Sequence, residues 1–152
     1  MKIEYEINKY ELLDEAMKIA DVVFKPNKIE KEKYHNRQVW SDRAMSGMLV
    51  VAMDDNKAVG FALAYPKEKL LHIWNVGVLD EYRGNGIWQS MFDLIKKRAL
   101  DDKYEAITIN TFPDSFANMY RFTIKNGFEE IKRENDPLSN LTKVFLVKKL
   151  GA

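Results

Sequence analysis

The stretch from Leu70 to Leu100 constrains this chain more than any other. It opens with an apolar run, Leu-Leu-His-Ile-Trp-Asn-Val-Gly-Val-Leu. A short polar turn with Arg83, Gly84, Asn85 and Gly86 follows, and then a segment with helical periodicity from Ile87. A strand, a glycine-bearing turn and a helix N-terminus in succession make a potential anion site. The first amides of a helix have no intrahelical acceptor, and the helix dipole adds to their pull on negative charge. Taken alone, Arg-Gly-Asn-Gly is equally compatible with a plain tight turn.

The chain has 152 residues, of which 46% are hydrophobic, enough for the core of one domain spanning 1–152 and against disorder. Its 24 Lys and Arg against 23 Asp and Glu give no global bias toward nucleic acid or an anionic membrane. There is no cysteine, hence no disulfide, thiol nucleophile or thiolate metal site. The two histidines, His35 and His72, form no ligand motif, so no metal is expected. No apolar run reaches the roughly 18 residues that mark a membrane helix, and no secretory leader is visible, so a cytoplasmic protein is expected.

In chain order, Ile3, Tyr5 and Ile7 alternate with Glu4 and Glu6, the pattern of a half-buried strand. From Tyr10 the apolar spacing becomes helical and is expected to end before Pro26. Lys28 to Ser41 reads as a weak helix or helical loop with a solvated charged face. Met48–Met53, Ala58–Tyr65 and Leu70–Leu79, separated by two short turns, predict an antiparallel meander. Gly77, inside the third strand, suggests a bulge or a close backbone approach. The helix Ile87–Leu100 followed by a strand Ala106–Thr111 makes a βαβ unit, so these flanking strands should be parallel. A helix capped by Asp114 or Ser115 and ended by Gly127, then strands Phe128–Glu134 and Leu141–Leu150, complete the order β-α-α-β-β-β-α-β-α-β-β. The expectation is an α/β (α+β) fold: a mixed, mostly antiparallel sheet of about six or seven strands with about four helices.

These residues carry a resemblance to the GNAT superfamily of acyl-CoA-dependent N-acetyltransferases. Val76-Gly-Val-Leu-Asp-Glu-Tyr-Arg-Gly-Asn-Gly-Ile resembles the family's strand and pyrophosphate loop, Arg/Gln-x-x-Gly-x-Gly/Ala. Ile124-Lys-Asn-Gly-Phe-Glu resembles its Gly-Phe signature, and the element order agrees over essentially the whole chain. The resemblance implies transfer of an acetyl or other acyl group from acetyl-CoA to a primary amine. The pyrophosphate would sit on the amides of Gly84, Asn85, Gly86, Ile87 and Trp88, with Arg83 positioning the loop or the charge. The pantetheine arm would lie between the two parallel strands on the backbone of Val76, Gly77 and Val78, as a substitute strand. The oxygen that becomes negative during transfer would be held by a backbone N–H near Val76 to Val78.

The sequence also departs from the family pattern. Trp88 occupies a position where Gly or Ala is usual, and either narrows the groove or joins the apolar stripe Phe92, Ile95, Ala99. Thr123 replaces the common proton-donating Tyr, leaving Tyr120, one turn away, as the available phenol. Phe116 stands where Asn is frequent, with Asn118 the nearest replacement. His72, on the central strand, resembles the base of arylalkylamine-type members, because imidazole has an unperturbed pKa suited to deprotonating an amine. Trp40, Trp74, Asn75 and Phe112 are candidate walls of an acceptor pocket suited to an aromatic or apolar amine, whether small molecule or peptide. A homodimer through the C-terminal strands with Phe145 and Val147 is compatible with the pattern. A second functional reading, motivated by Trp88 and Thr123, is a CoA-binding regulatory domain without catalysis. A nucleotide-phosphate binder lacks its Gly-Lys-Ser/Thr and Gly-x-Gly-x-x-Gly motifs.

Overall fold

The computed structural model describes residues 2–151. Seven strands form one sheet: β1 Ile3–Ile7, β2 Met48–Asp54, β3 Lys57–Lys67, β4 Leu70–Val78, β5 Ala106–Thr111, β6 Glu129–Asn135 and β7 Thr142–Lys149. Their spatial order is β1-β2-β3-β4-β5-β7-β6. Every neighbouring pair is antiparallel except β4 with β5, which is parallel as the βαβ spacing requires.

Side chains alternate across the central strands to make two cores. Met48, Val50 and Ala52 of β2 join Ala62, Ala64, Leu71 and Ile73 on one face. There they meet Ile87, Met91, Phe92, Ile95 and Ala99 of α4 (Ile87–Asp101). Leu49, Val51, Phe61 and Leu63 turn to the other face, against Leu13, Ala16, Ile19 and Ala20 of α1 (Leu13–Phe24). Trp40 and Ala44 of α3 (Arg37–Ser46) close that side. Burial on both faces explains why β2 and β3 read as nearly unbroken apolar runs.

The segment expected to be a weak helix or helical loop is two helices, α2 (Lys28–Lys33) and α3, making five α-helices among the described residues with α5 (Ala117–Lys125). Each has its own cap. Asn27 accepts from the Glu30 amide at 2.8 Å while the Glu30 carboxylate accepts from the Asn27 amide, a capping box. Asn36 accepts from the Val39 amide at 3.0 Å and starts α3 anew. α1 is preceded by a 3-10 turn over Tyr10–Leu12 and stops at Lys25, before Pro26. α5 carries no side-chain cap; instead of capping it, the Asp114 carboxylate accepts from the Thr142 amide of β7 at 3.4 Å. Gly127, with φ of 86°, does end α5.

The expected bulge is at Trp74 rather than Gly77. Leu63 pairs with Asn75 and Ala64 with Ile73, so Trp74 is the extra residue. Gly77 has a packing reason instead: a Cβ there would stand 2.8 Å from Cε1 of the buried Phe61 ring.

Candidate active site

β4 and β5 stay together for only four residue pairs, Leu70 with Ala106 through Ile73 with Ile109. Beyond Ile73 the strands part, and β4 continues through Val78 paired only to β3. The Leu79 amide donates to the Val59 carbonyl at 2.9 Å. By the alternation of an antiparallel ladder, the backbone groups of Val78 and Val76 therefore face the opening. Arg83 Nε donates to the Val78 carbonyl at 3.2 Å, so that carbonyl is already engaged, and Arg83 Nη1 lies 3.2 Å from Asp80. Arg83 thus fastens the loop to the end of β4.

The loop itself is an open cradle. Gly84 and Gly86 have φ of 81° and 73°, values that glycine adopts without the penalty of a Cβ, and a Cβ built at either would meet nothing within 4 Å. Gly86 precedes α4 without a side-chain cap. Among the described residues the amides of Gly84, Asn85, Gly86, Ile87, Trp88 and Gln89 have no acceptor; the first helical bond runs from Ser90 to Gly86 at 3.0 Å. The Asn85 side chain donates to the carbonyls of Tyr82 and Arg83 at 3.0 and 3.3 Å. The Tyr82 hydroxyl donates to Asp54 at 2.7 Å, anchoring the loop to the end of β2. This chemistry fits a pyrophosphate: free amides converging with a helix N-terminus and no side chain in the way.

Of the two orientations left open for Trp88, the structure takes the inward one. Its ring lies 4.9 Å from Phe122 and 5.7 Å from Phe92, between α4 and α5. The α4–α5 contact is reinforced by Gln89, whose amide nitrogen lies 3.1 Å from Asn126 Oδ1. Asn126 in turn donates back to Gln89 at 3.3 Å. Phe128 of the Gly-Phe signature is buried 5.7 Å from Phe92.

On α5, Thr123 is fully buried and its hydroxyl donates to the Tyr120 carbonyl at 2.7 Å, which occupies its proton within the helix. The Tyr120 phenol is half-buried and, among the described residues, hydrogen-bonded to no side chain or carbonyl. Asn118 is exposed and accepts from Arg121. Phe116 meets Phe24 at 5.6 Å, so the loop before α5 reaches the end of α1. The half-buried Phe112 starts that loop, its carbonyl accepting from Ser115 and Phe116 at 3.0 and 2.8 Å.

His72 is only 4% exposed, with Nδ1 2.8 Å from the Thr108 hydroxyl of β5. Burial first, then the charges of Lys67, Arg43 and Lys143, push its pKa down to about 3. The imidazole is therefore neutral at pH 7, and far less basic than its residue type alone implies. The bulge sends Trp74 and Asn75 to the same face as His72. There Trp74 stands half-buried among Trp40 at 5.5 Å, Tyr34 at 6.5 Å and Tyr65 at 6.5 Å. Trp40 is a correction to the pocket expected from sequence: with no exposed surface, it is the floor behind Trp74 and touches no solvent. Sequence reading missed Tyr34, Arg43 and Tyr65, which surround Trp74; their only signal was helical or strand spacing on elements whose packing partners were unknown.

A shallow cleft of about 490 Å³ lined by Glu68, Lys69 and Asp102–Glu105 lies at the other end of β4, away from the glycine cradle. Among the described residues no group of three His, Asp or Glu side chains is placed to hold a metal ion.

The chain thus combines a mixed α/β fold with a splayed parallel pair beside a glycine cradle at a helix N-terminus. A sequence model of the acetyltransferase (GNAT) family matches residues 10–128, and the chain belongs to that family. No curated protein sequence matches it. Among solved structures, Ard1 from Thermoplasma volcanium superposes with a TM-score of 0.82 at 14% identity over 100% of both chains. The PaiA N-acetyltransferase of Thermoplasma acidophilum, solved with coenzyme A, gives 0.76 at 17% identity, covering 99% of this chain and 100% of that one. The IAA acetyltransferase of Bacillus cereus gives 0.78 at 15% identity over 98% and 100%. At these identities the likeness is one of fold.

Proposed function

We propose that this protein transfers an acetyl group from acetyl-CoA to a primary amine. The observation that carries the reading is the run of free amides from Gly84 to Gln89 beside the unpaired backbone of Val76. Gly84 to Trp88 would hold the pyrophosphate, and the backbone of Val76 the pantetheine arm, with the Val78 amide alongside, whereas the Gly77 backbone turns to its partner Phe61 on β3; acetyl-CoA supplies an activated thioester. The complexes of GNAT structures with coenzyme A or acetyl-CoA, such as that of PaiA, support the same ligand here.

In this reading Tyr120 is the general acid for the departing thiolate, because its phenol is free while the Thr123 hydroxyl is engaged. Asn118, at the start of α5, would border the cofactor. His72 lines the acceptor side as a neutral hydrogen-bonding group. The acceptor pocket is built from Trp74, Asn75 and Phe112 over Trp40. The test is a thermal-unfolding titration with acetyl-CoA, since a ligand that binds only the native state raises the midpoint. Amine-dependent release of free CoA is then measured over an acceptor panel. A raised midpoint with amine-dependent release is expected; no shift at millimolar acetyl-CoA would overturn the reading. A shift without turnover of any amine would favour the CoA-binding domain instead.

A further inference from the structure

The face of the sheet that carries His72 also carries an arginine with no anion. Arg43, on α3, lies with its guanidinium carbon 4.3 Å from the Trp74 ring centroid and 4.6 Å from that of Tyr65. Two aromatic contacts hold the planar group in place at a half-buried position. Yet no carboxylate lies within 4.0 Å of it among the described residues, and no acceptor receives its N–H groups. Lys67 lies 5.5 Å from the same Tyr65 ring and Lys143 5.3 Å from the Phe145 ring, neither of them in an ion pair among the described residues. Together with Arg43, these are the charges His72 senses, all of one sign. On the other flank of Trp74 the sign reverses: Tyr34 donates to Glu30 at 2.9 Å, and Asp136 also acts on its phenol. An immobilised, unpaired guanidinium presents a rigid fork of donors matched to a carboxylate.

We propose that the acceptor is an amine that also bears a carboxylate, and that Arg43 binds this carboxylate, with Lys67 and Lys143 adding attraction at longer range. This rests on the acetyl-transfer reading above and narrows its substrate class. The aromatic wall of Trp74 and Tyr65 flanks the body of the acceptor, and the Glu30 and Asp136 side accommodates its ammonium end before transfer. The carboxylate can be that of a free amino acid or an acidic side chain near the amino end of a peptide. The shared chemistry is the carboxylate on Arg43.

The test uses three acetylated product mimics as thermal-shift ligands, with and without saturating CoA: N-acetyltyrosine, N-acetyltyrosinamide and N-acetyl-aspartyl-alaninamide. The wild-type protein is expected to bind N-acetyltyrosine at least about tenfold more tightly than its amide. Arg43→Gln is expected to abolish that preference, and Arg43→Lys to retain part of it. Lys67→Gln, at an exposed position, is expected to weaken the acid about twofold to fivefold. Protection by the aspartyl peptide points to the side-chain source, and its absence to the free amino acid. Equal protection by acid and amide without protection by the aspartyl peptide, no protection by either carboxylate, or protection by a carboxylate ligand that survives Arg43→Gln would overturn the proposal. CoA alone should raise the midpoint equally in all these variants. If it fails to do so in the wild type, the acetyl-transfer reading falls, while the acid–amide comparison is still read on the unloaded protein.

Discussion

Trp88 stacks on Phe122 with ring centroids 4.9 Å apart and planes inclined by 36°. The contact joins the first turn of α4 to α5, so a bulky residue in the loop motif serves the packing between helices. Its indole nitrogen is buried without an acceptor, a cost that the aromatic contacts must offset. Trp88→Ala should therefore destabilise the fold by about 2–4 kcal/mol. Acetyl-CoA affinity should change by less than about threefold, because the cradle amides are backbone groups on the other side of the helix start. Denaturant unfolding and acetyl-CoA titration measure the two effects separately.

Tyr120 and Thr123 differ in what their hydroxyls are doing. Tyr120→Phe should lower kcat by about 10²-fold or more with unchanged stability and acetyl-CoA binding. Thr123→Val removes a hydroxyl that only back-bonds to the Tyr120 carbonyl, and should cost about 1 kcal/mol of stability with kcat preserved. A Thr123→Val variant as inactive as Tyr120→Phe would reverse the two roles.

His72 makes stability depend on pH in a defined direction. Its pKa falls from the ordinary 6.5 to about 3 on folding, so between those values the unfolded chain binds the extra proton. Stability contributed by the neutral ring is complete above about pH 6.5 and is lost as pH falls toward 3, at up to about 1.4 kcal/mol per pH unit. His72→Gln should flatten this acid limb in urea midpoints measured from pH 7 to pH 4. If His72 were instead the catalytic base, the variant would remove an ionisation near neutrality from the pH–rate profile; none is expected from it.

Two glycines should fail in different ways. At Gly47 a Cβ would stand 2.0 Å from the Ala64 carbonyl oxygen, a backbone atom of β3 that cannot swing aside. Gly47→Ala should cost about 3 kcal/mol or more and separate the end of α3 from the sheet. At Gly86 the space is open, so Gly86→Ala should cost only about 1 kcal/mol of backbone strain. Its methyl would occupy the cradle, and acetyl-CoA affinity should drop at least about tenfold by titration.

Much of this architecture was legible in the residues because period and punctuation agreed. The alternation in β1, the apolar runs of β2 and β3, the βαβ spacing around α4 and the stop at Gly127 each carry a local physical cause. The α2–α3 break was present as Asn36, the cap that starts α3, but the high charge of the segment masked it. The bulge was misplaced because Gly77 offered a familiar local signal. Its actual position at Trp74 follows from register against β3, which no single strand encodes. The neutral state of His72 likewise depends first on its burial in the folded sheet and then on Lys67, Arg43 and Lys143, brought near it from three separate elements. Spacing along one strand could suggest an imidazole but not its basicity.

The four-pair junction of β4 and β5 gives this sheet an edge in its middle. Outer edges invite pairing with other proteins; an inner one is bounded on its far side by β5 and admits only a single narrow chain. A ligand arm that paired there would act as a suture, making β1–β4 and β5–β7 unfold as one cooperative unit where the bare protein has a seam.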